Sequence, residues 1–388
     1  MVGFAFRRLG QTPVIGEMVA GVLLGPSLLG QLLPSIESRL FPPASLPSLH
    51  LISQLGVVLF MFVVGLEVDV DRLRRRAQAT FLISNAGIIV PFALGVWLSL
   101  YLHEHYAPPG VPFLPFALFI GTAMSITAFP VLARILTERR LNGTELGNLA
   151  IGCAAIDDVT AWCLLAVVLA LSRGEGLIGP FVAVVLAGIV AVIAFVVVRP
   201  RARQLFGGSV SDGLPPRTLF RALVFLLAAA LSTEAIGVHA VFGAFLAGVA
   251  VGGASDLREP LRRTIEPLTS MLLLPLFFAY SGLRTEVGSL SGQAWIACAL
   301  VLIAAVVGKF GAVTAAARIQ GTSWRESLAL GALMNTRGLM ELVVLNIGYD
   351  LGMLSPQMYT MMVIMALTTT CMAGPVLAVL SKKVAGPH

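Results

Sequence analysis

An all-α polytopic membrane protein, built as an inverted-topology repeat with two crossing discontinuous helices, is the fold class this sequence predicts. Three observations predict it. Hydrophobic residues make up 57% of the 388 positions and charged ones 12%, where a soluble domain carries about 25% charged residues. Apolar runs close to the ~20 residues that cross a bilayer recur along the whole chain. Motifs of the first half return in the same order in the second.

The hydropathy pattern gives about twelve spans, at 14–33, 51–68, 79–102, 113–136, 146–171, 177–198, 218–232, 236–253, 266–283, 293–317, 326–348 and 357–380. The connecting loops are short, so 1–388 reads as a single transmembrane domain with no soluble regulatory domain. Alternating the loops between two sides puts twenty-one Lys and Arg on the side of the N-terminus and three (Arg39, Arg173, Arg284) on the other. A missed or invented span would scramble that alternation, and the positive-inside rule then makes both termini cytoplasmic. The net charge of +6 therefore belongs to loops at the membrane and implies no nucleic-acid partner. The opening MVGFAFRRLGQTPVIGE has neither the apolar core nor the cleavage site of a signal peptide. Cys153, Cys163, Cys298 and Cys371 all lie in apolar spans without a CxxC, and read as small hydrophobes.

The repeat rests on three matches. VIGEMVAGVLLG from Val14 matches VFGAFLAGVAVG from Val241, LFMFVVGL from Leu59 matches LFFAYSGL from Leu276, and GTAMSIT from Gly121 more weakly matches GALMNTR from Gly331. The first match pairs span one with span eight, an odd number of crossings apart, so the copies point opposite ways. Inverted repeats of this kind are a mark of membrane transporters, whose sites lie near the midplane where broken helices meet. Spans eight to twelve then pair with one to five, and span seven lacks a partner unless a helix precedes Arg7. One N-terminal helix is therefore expected to be missing.

Two paired spans are interrupted. Span four, FALFIGTAMSITAFPVLARIL, carries Pro130, which removes a backbone donor and clashes with the preceding turn. Ser125 and Thr127 beside it can offer oxygens to freed backbone groups or to an ion on its path. Span eleven, SLALGALMNTRGLMELVVLNIG, is broken by Asn335, Thr336, Arg337 and Gly338. Irregular backbone at this depth survives only when buried in protein or lining a cavity. Crossing broken helices bring partly charged helix ends to the midplane. Arg337 can offset the negative ends, and Asp157, Asp158 or Glu341 the positive ones.

An ionisable side chain at mid-span costs on the order of 2.5–3.5 kcal/mol and marks function by default. The candidates are Glu17, Asp157, Asp158, Glu234, Lys309, Arg337 and Glu341. Asp157 and Asp158 are adjacent, so on one helix they point about 100° apart. One can hold a proton or a cation while the other faces a different partner, and the two titrate as a coupled unit. Lys309, central in VLIAAVVGKFGAVTAAA, needs an anion and is expected to pair with Asp157. Glu341 lies one turn beyond Arg337 and can pair with it along the helix. Glu17 and Glu234 sit near span ends, in packing or cavity-mouth positions, and His239 reads as a hydrogen-bonded packing residue. Hydrolysis by paired acids requires carboxyls on separate helices around one water, so adjacent acids argue against an enzyme.

With these residues the chain resembles the monovalent cation:proton antiporter superfamily in its Kef/CHX/NapA-like branch. The matching stretches are QTPVIGEMVAGVLLGPSLLG, LGVVLFMFVVGLEVD, SITAFPVLARIL, AAIDDVTAW, GVHAVFGAFLAGV, the mid-span Lys309 and MNTRGLMELVVLNIG. The resemblance implies an NhaA/NapA-like antiporter fold, lacking the first family helix, that works by an elevator mechanism. Its core part would be about 113–171 and 293–380, its scaffold or dimerisation part about 14–33 and 177–253. It implies a homodimer in a bacterial inner membrane, with no cofactor. It implies exchange of a monovalent cation, Na+ favoured, for protons, with the cation held at Asp158, Asp157 and Thr127. Charge compensation would fall to Lys309, Arg337 and Glu341, and the ion path would pass Ser125 and Asn335. The alternatives are K+/H+ exchange and a cation channel.

Overall fold

The computed structural model describes residues 6, 11, 13–68, 77–141, 144–172, 178–207 and 214–381. Arg7, Arg8, Arg72, Arg74, Arg75, Arg76, Arg173, Lys382 and Lys383, which carry part of the charge asymmetry, lie outside the described residues. Among the described residues every regular element is helical: α1 (Pro13–Leu24), α2 (Leu46–Glu67), α3 (Ala77–Tyr106), α4 (Phe113–Ser125), α5 (Phe129–Glu138), α6 (Glu145–Ser172), α7 (Ile178–Val192), α8 (Pro216–Ile236), α9 (Ala240–Val251), α10 (Ser255–Leu268), α11 (Leu274–Leu283), α12 (Gly292–Val306), α13 (Ala312–Ile319), α14 (Trp324–Met334), α15 (Leu339–Asp350) and α16 (Pro356–Ser381). Short helical turns at Leu29–Leu32, Pro34–Leu40 and Ala202–Phe206 connect them. The protein is an integral membrane protein, as its eleven apolar helical stretches long enough to cross a bilayer require.

Each of those eleven stretches overlaps one of the expected spans, the second and ninth starting earlier, at Pro34 and Ser255. The eighth differs. It was expected at 236–253, and the helix is the twelve-residue α9, about 18 Å long against a hydrocarbon core of about 30 Å. Hydropathy counts Ile236 and Val238 into the span, but the backbone turns there. Gly237 ends α8 at φ 91°, a left-handed conformation that glycine adopts without penalty. His239 then caps α9, its ring accepting from the Val241 N–H at 3.4 Å, and the Glu234 carboxylate accepts from the Ala240 N–H at 2.7 Å. Both side chains thus serve orphaned donors of a helix N-terminus.

The helices fall into two compact units. The first takes the described residues of Met1–Pro42, Val70–Ala161 and Ser281–His388, the second those of Pro43–Asp69 and Trp162–Tyr280. Residues 14–33, grouped with the scaffold from sequence, belong to the first unit. Each unit holds a glycine crossing between repeat-matched helices. In the first, a Cβ on Gly282 of α11 would collide with the Gly21 backbone of α1. In the second, a Cβ on Gly65 of α2 would come within 2.9 Å of the Gly248 Cα of α9. Gly21 matches Gly248 and Gly65 matches Gly282 in the repeat alignment, so each crossing joins the first helix of one repeat to the second helix of the other. Small residues let backbones approach where side chains would hold them apart.

Both interrupted spans are broken helices. α4 stops at Ser125, and Ile126 to Ala128 leave the helix, Ile126 extended, before α5 begins at Phe129–Pro130. α14 stops at Met334, and α15 starts after Gly338. The breaks meet: the Ala128 N–H donates to the Thr336 carbonyl at 2.9 Å.

Candidate functional site

Around that meeting point the first unit buries eight ionisable or polar side chains that the sequence singled out: Ser125, Thr127, Asp157, Asp158, Lys309, Asn335, Arg337 and Glu341. The physics starts with helix ends. α4 terminates inside the protein, so its last carbonyls have no helical partner and carry the negative end of the helix dipole. Two cations answer. The Arg337 guanidinium donates through Nη1 to the Ala123 carbonyl at 2.8 Å and through Nη2 to the Met124 carbonyl. The Lys309 ammonium donates to the Ser125 carbonyl. Lys309 stands in a π-helical turn, Val307–Gly311, between α12 and α13; such turns are frequent at functional sites.

The anions follow. Lys309 Nζ lies 2.6 Å from Asp157 Oδ2, with both side chains fully buried. Asp157 Oδ2 also accepts from the Thr127 hydroxyl at 2.7 Å, and Oδ1 accepts from the Ser84 hydroxyl of α3 at 2.5 Å. Thr127 lies as close to the Met334 carbonyl, at 2.9 Å, so it bridges the two breaks. Glu341, in the first turn of α15, sits at a positive helix end and accepts from Arg337 Nη1 at 3.2 Å. Its other oxygen has no hydrogen-bond partner among the described residues.

Asp158 is the exception. It is 0% exposed, and among the described residues neither carboxylate oxygen has a hydrogen-bond partner. Its neighbour on α6 has both oxygens engaged by Ser84, Thr127 and Lys309. The ~100° between adjacent helical side chains separates one saturated acid from one unsaturated acid. A buried carboxylate without donors is expensive, so this side chain needs a proton or a cation to be comfortable where it is.

Ser125 and Asn335 occupy the C-terminal ends of α4 and α14. The Ser125 hydroxyl satisfies the Gly121 carbonyl at 2.7 Å or the Ile88 carbonyl at 3.1 Å. Asn335 lines a cavity of about 90 Å³ with Val306, Phe310, Ala332, Thr369, Met372, Ala373 and Val376, and its Oδ1 has no hydrogen-bond partner among the described residues. Glu17 and Glu234 are not part of this cluster; Glu234 caps α9, and Glu17 is half-buried on α1. Ser84 escaped the sequence reading, since a single serine in an apolar span ordinarily bonds its own helix.

Comparison with known proteins agrees with this architecture. Residues 1–383 match the family described as sodium/hydrogen exchanger, transmembrane. The chain is 43% identical over 382 residues to the Na(+)/H(+) antiporter NhaS4 of Synechocystis, covering 97% of this chain and 92% of that one. It is 43% identical over 385 residues to Cation/H(+) antiporter 17 of Arabidopsis thaliana, covering 98% of this chain and 46% of the relative. With K(+)/H(+) antiporter 1 of Saccharomyces cerevisiae it shares 32% identity over 391 residues, 97% of this chain and 44% of that protein. The chain thus spans nearly all of the cyanobacterial relative and about half the length of the other two. The solved sodium proton antiporter MjNhaP1 of Methanocaldococcus jannaschii has the same fold, with a TM-score of 0.71 at 15% identity, covering 100% of this chain and 95% of that one.

Proposed function

This chain belongs to the transmembrane sodium/hydrogen exchanger family, and on that premise we propose that it exchanges a monovalent cation, sodium favoured, for protons by alternating access around Asp158. The observation that carries the reading is the contrast within the acid pair. Asp157 has both oxygens taken up, while Asp158, equally buried, has none. A carboxyl in that state is occupied by a proton or by an alkali cation, not both. Left empty it would be an uncompensated charge, costly to carry through the apolar interior. Loaded either way, the site can change the side it faces, and this reluctance to cross empty is what couples the two flows.

The other residues keep the machinery neutral without competing for the substrate. Lys309 compensates Asp157, and Arg337 compensates both Glu341 and the carbonyl end of α4. Thr127, bonded to Asp157, is a further oxygen at the site, and Ser125 and Asn335 stand at the helix ends an ion would pass. The transport core of this reading lies in 113–171 and 293–380, moving against a scaffold that includes 177–253. Potassium is the alternative substrate; the names of the relatives include both ions.

The setting is a homodimer in a bacterial inner membrane, with both termini inside. The twenty-one-to-three asymmetry of Lys and Arg supports the orientation. A cysteine at exposed Pro109 is expected to react with an impermeant maleimide on intact cells, and one at exposed Arg325 to be protected; the reverse pattern overturns the orientation. The exchange itself is tested in proteoliposomes holding a pH indicator. Wild type should move protons when sodium or potassium is added, and Asp158→Asn should not. Retained exchange in that variant removes Asp158 from the mechanism.

A further inference from the structure

The second break, between α14 and α15, has a clamp that the site described above does not use. Residues 335–338 lie between α14 and α15, so the Arg337 N–H and C=O belong to no helix. Both are met by one side chain. The Thr370 hydroxyl of α16 accepts from the Arg337 N–H at 2.9 Å and lies within donating distance of the Arg337 carbonyl. Its other acceptor is the Ala366 carbonyl one turn back, at 2.7 Å. A threonine in a helix ordinarily makes that last bond alone. Accepting from a peptide on another element is the extra feature, and Thr370 is fully buried while doing so.

The repeat gives this position a meaning. Span twelve is the partner of span five. Setting Leu377-Ala378-Val379 on Leu165-Ala166-Val167, and Ala373 on Ala161, places Thr369-Thr370 opposite Asp157-Asp158. Arg337 is likewise opposite Thr127 in the match of 331–337 with 121–127. In the first repeat, the residue at the break donates to an acid of α6: Thr127 to Asp157. In the second, the equivalent residue at the break donates to a hydroxyl of α16: Arg337 to Thr370. Each half thus ties its break to the next span, at adjacent register positions: the first through a side-chain hydroxyl to Asp157, the second through a peptide N–H to Thr370, the position opposite Asp158.

We propose that Thr370 is a positioning residue for the exchange, fixing the Arg337 peptide and through it the crossing that surrounds the acid pair. The inference rests on the antiport reading above. The chain of contacts is short. Arg337 reaches the carbonyls of α4, the Thr336 carbonyl takes the Ala128 N–H, and the Met334 carbonyl and Asp157 share the Thr127 hydroxyl. Without the Thr370 hydroxyl, two buried backbone groups lose their partner together, and a buried peptide does not stay in place unpaired. The break shifts, and Thr127 is drawn off Asp157. Thr370 touches neither oxygen of Asp158, so the affinity for the cation is not what it sets; it sets how well the loaded crossing keeps its shape as it moves.

The test compares Thr370→Val, which keeps the volume and loses the hydroxyl, with Thr370→Ser, which keeps the hydroxyl. Both are reconstituted in proteoliposomes beside wild type, and proton movement is followed against sodium and potassium concentration. Thr370→Val is expected to lower the maximal rate about tenfold or more, the scale of a buried hydrogen-bond loss, with the apparent KM for the cation within about twofold. Thr370→Ser is expected to keep at least about half of the wild-type rate. Wild-type exchange in Thr370→Val, or a change confined to KM, overturns the proposal. If Thr370→Val does not reach the membrane, Thr370→Ser decides: near-wild-type exchange supports the clamp, and a rate as low as that of Asp158→Asn overturns it. A wild-type protein that moves no protons fails the antiport reading, whereas an active wild type matched by Thr370→Val fails this inference alone.

Discussion

Two neighbouring aspartates have opposite surroundings. Asp157 sits in a ring of three donors, and Asp158, which has none among the described residues, is the acid we propose for the substrate. Much of this was legible. Adjacent acids in an apolar run, a lysine too central to reach an interface, and Arg337 four residues before Glu341 each demanded a partner, and the structure supplies Asp157 for Lys309 and Glu341 for Arg337. Ser84 was not legible, because a hydroxyl costs little in a helix and leaves no trace in hydropathy. The buried pair makes a quantitative expectation. Lys309→Met leaves Asp157 with hydroxyl donors alone, and should lower the unfolding free energy by about 3–5 kcal/mol. Asp157→Asn strands the ammonium and should cost a similar amount. The double variant removes both charges and should regain most of the loss, so thermal unfolding of all four proteins forms a double-mutant cycle with strong coupling. Additive losses would mean that the two groups do not act as a pair.

The elements were more legible than their ends. Hydropathy found the long helices, and Pro130 with the Asn335–Gly338 run marked the two breaks that prove to cross. It overextended the eighth span, because Ile236 and Val238 are as apolar as helical neighbours while serving a turn. Helix ends depend on φ at one glycine and on two capping side chains, neither of which hydropathy weighs. The glycine crossings, by contrast, follow from the repeat. Gly282 faces the backbone of Gly21, so the smallest added side chain has no room. Gly282→Ala is expected to destabilise the first unit by about 1–3 kcal/mol through overpacking, read as a lower thermal midpoint in detergent. An unchanged midpoint would show that α1 can slide along α11 at no cost, against the close contact seen.

At the scale of the whole molecule, an inverted repeat turns one pattern into two unlike halves. Both halves break a helix and tie the break to the next span, and the glycine crossings join a helix of one half to a helix of the other. They differ in charge: the first repeat carries the acid pair, while the equivalent place in the second carries Thr369 and Thr370. The cations are the other way round, since Lys309 and Arg337 both come from the second repeat and reach into the first. The site therefore needs both halves, which is why motifs far apart in sequence, around 127, 157, 309 and 337, had to be read together.

The central claim is that one carboxyl, Asp158, holds either a proton or a cation. The most direct measurement is calorimetric titration of sodium into the purified protein, repeated in two buffers with different heats of protonation. Competition at one carboxyl requires that cation binding expel protons, so the apparent binding enthalpies should differ between buffers, and Asp158→Asn should abolish the binding heat. Sodium binding with the same heat in both buffers, and no proton released, would contradict it.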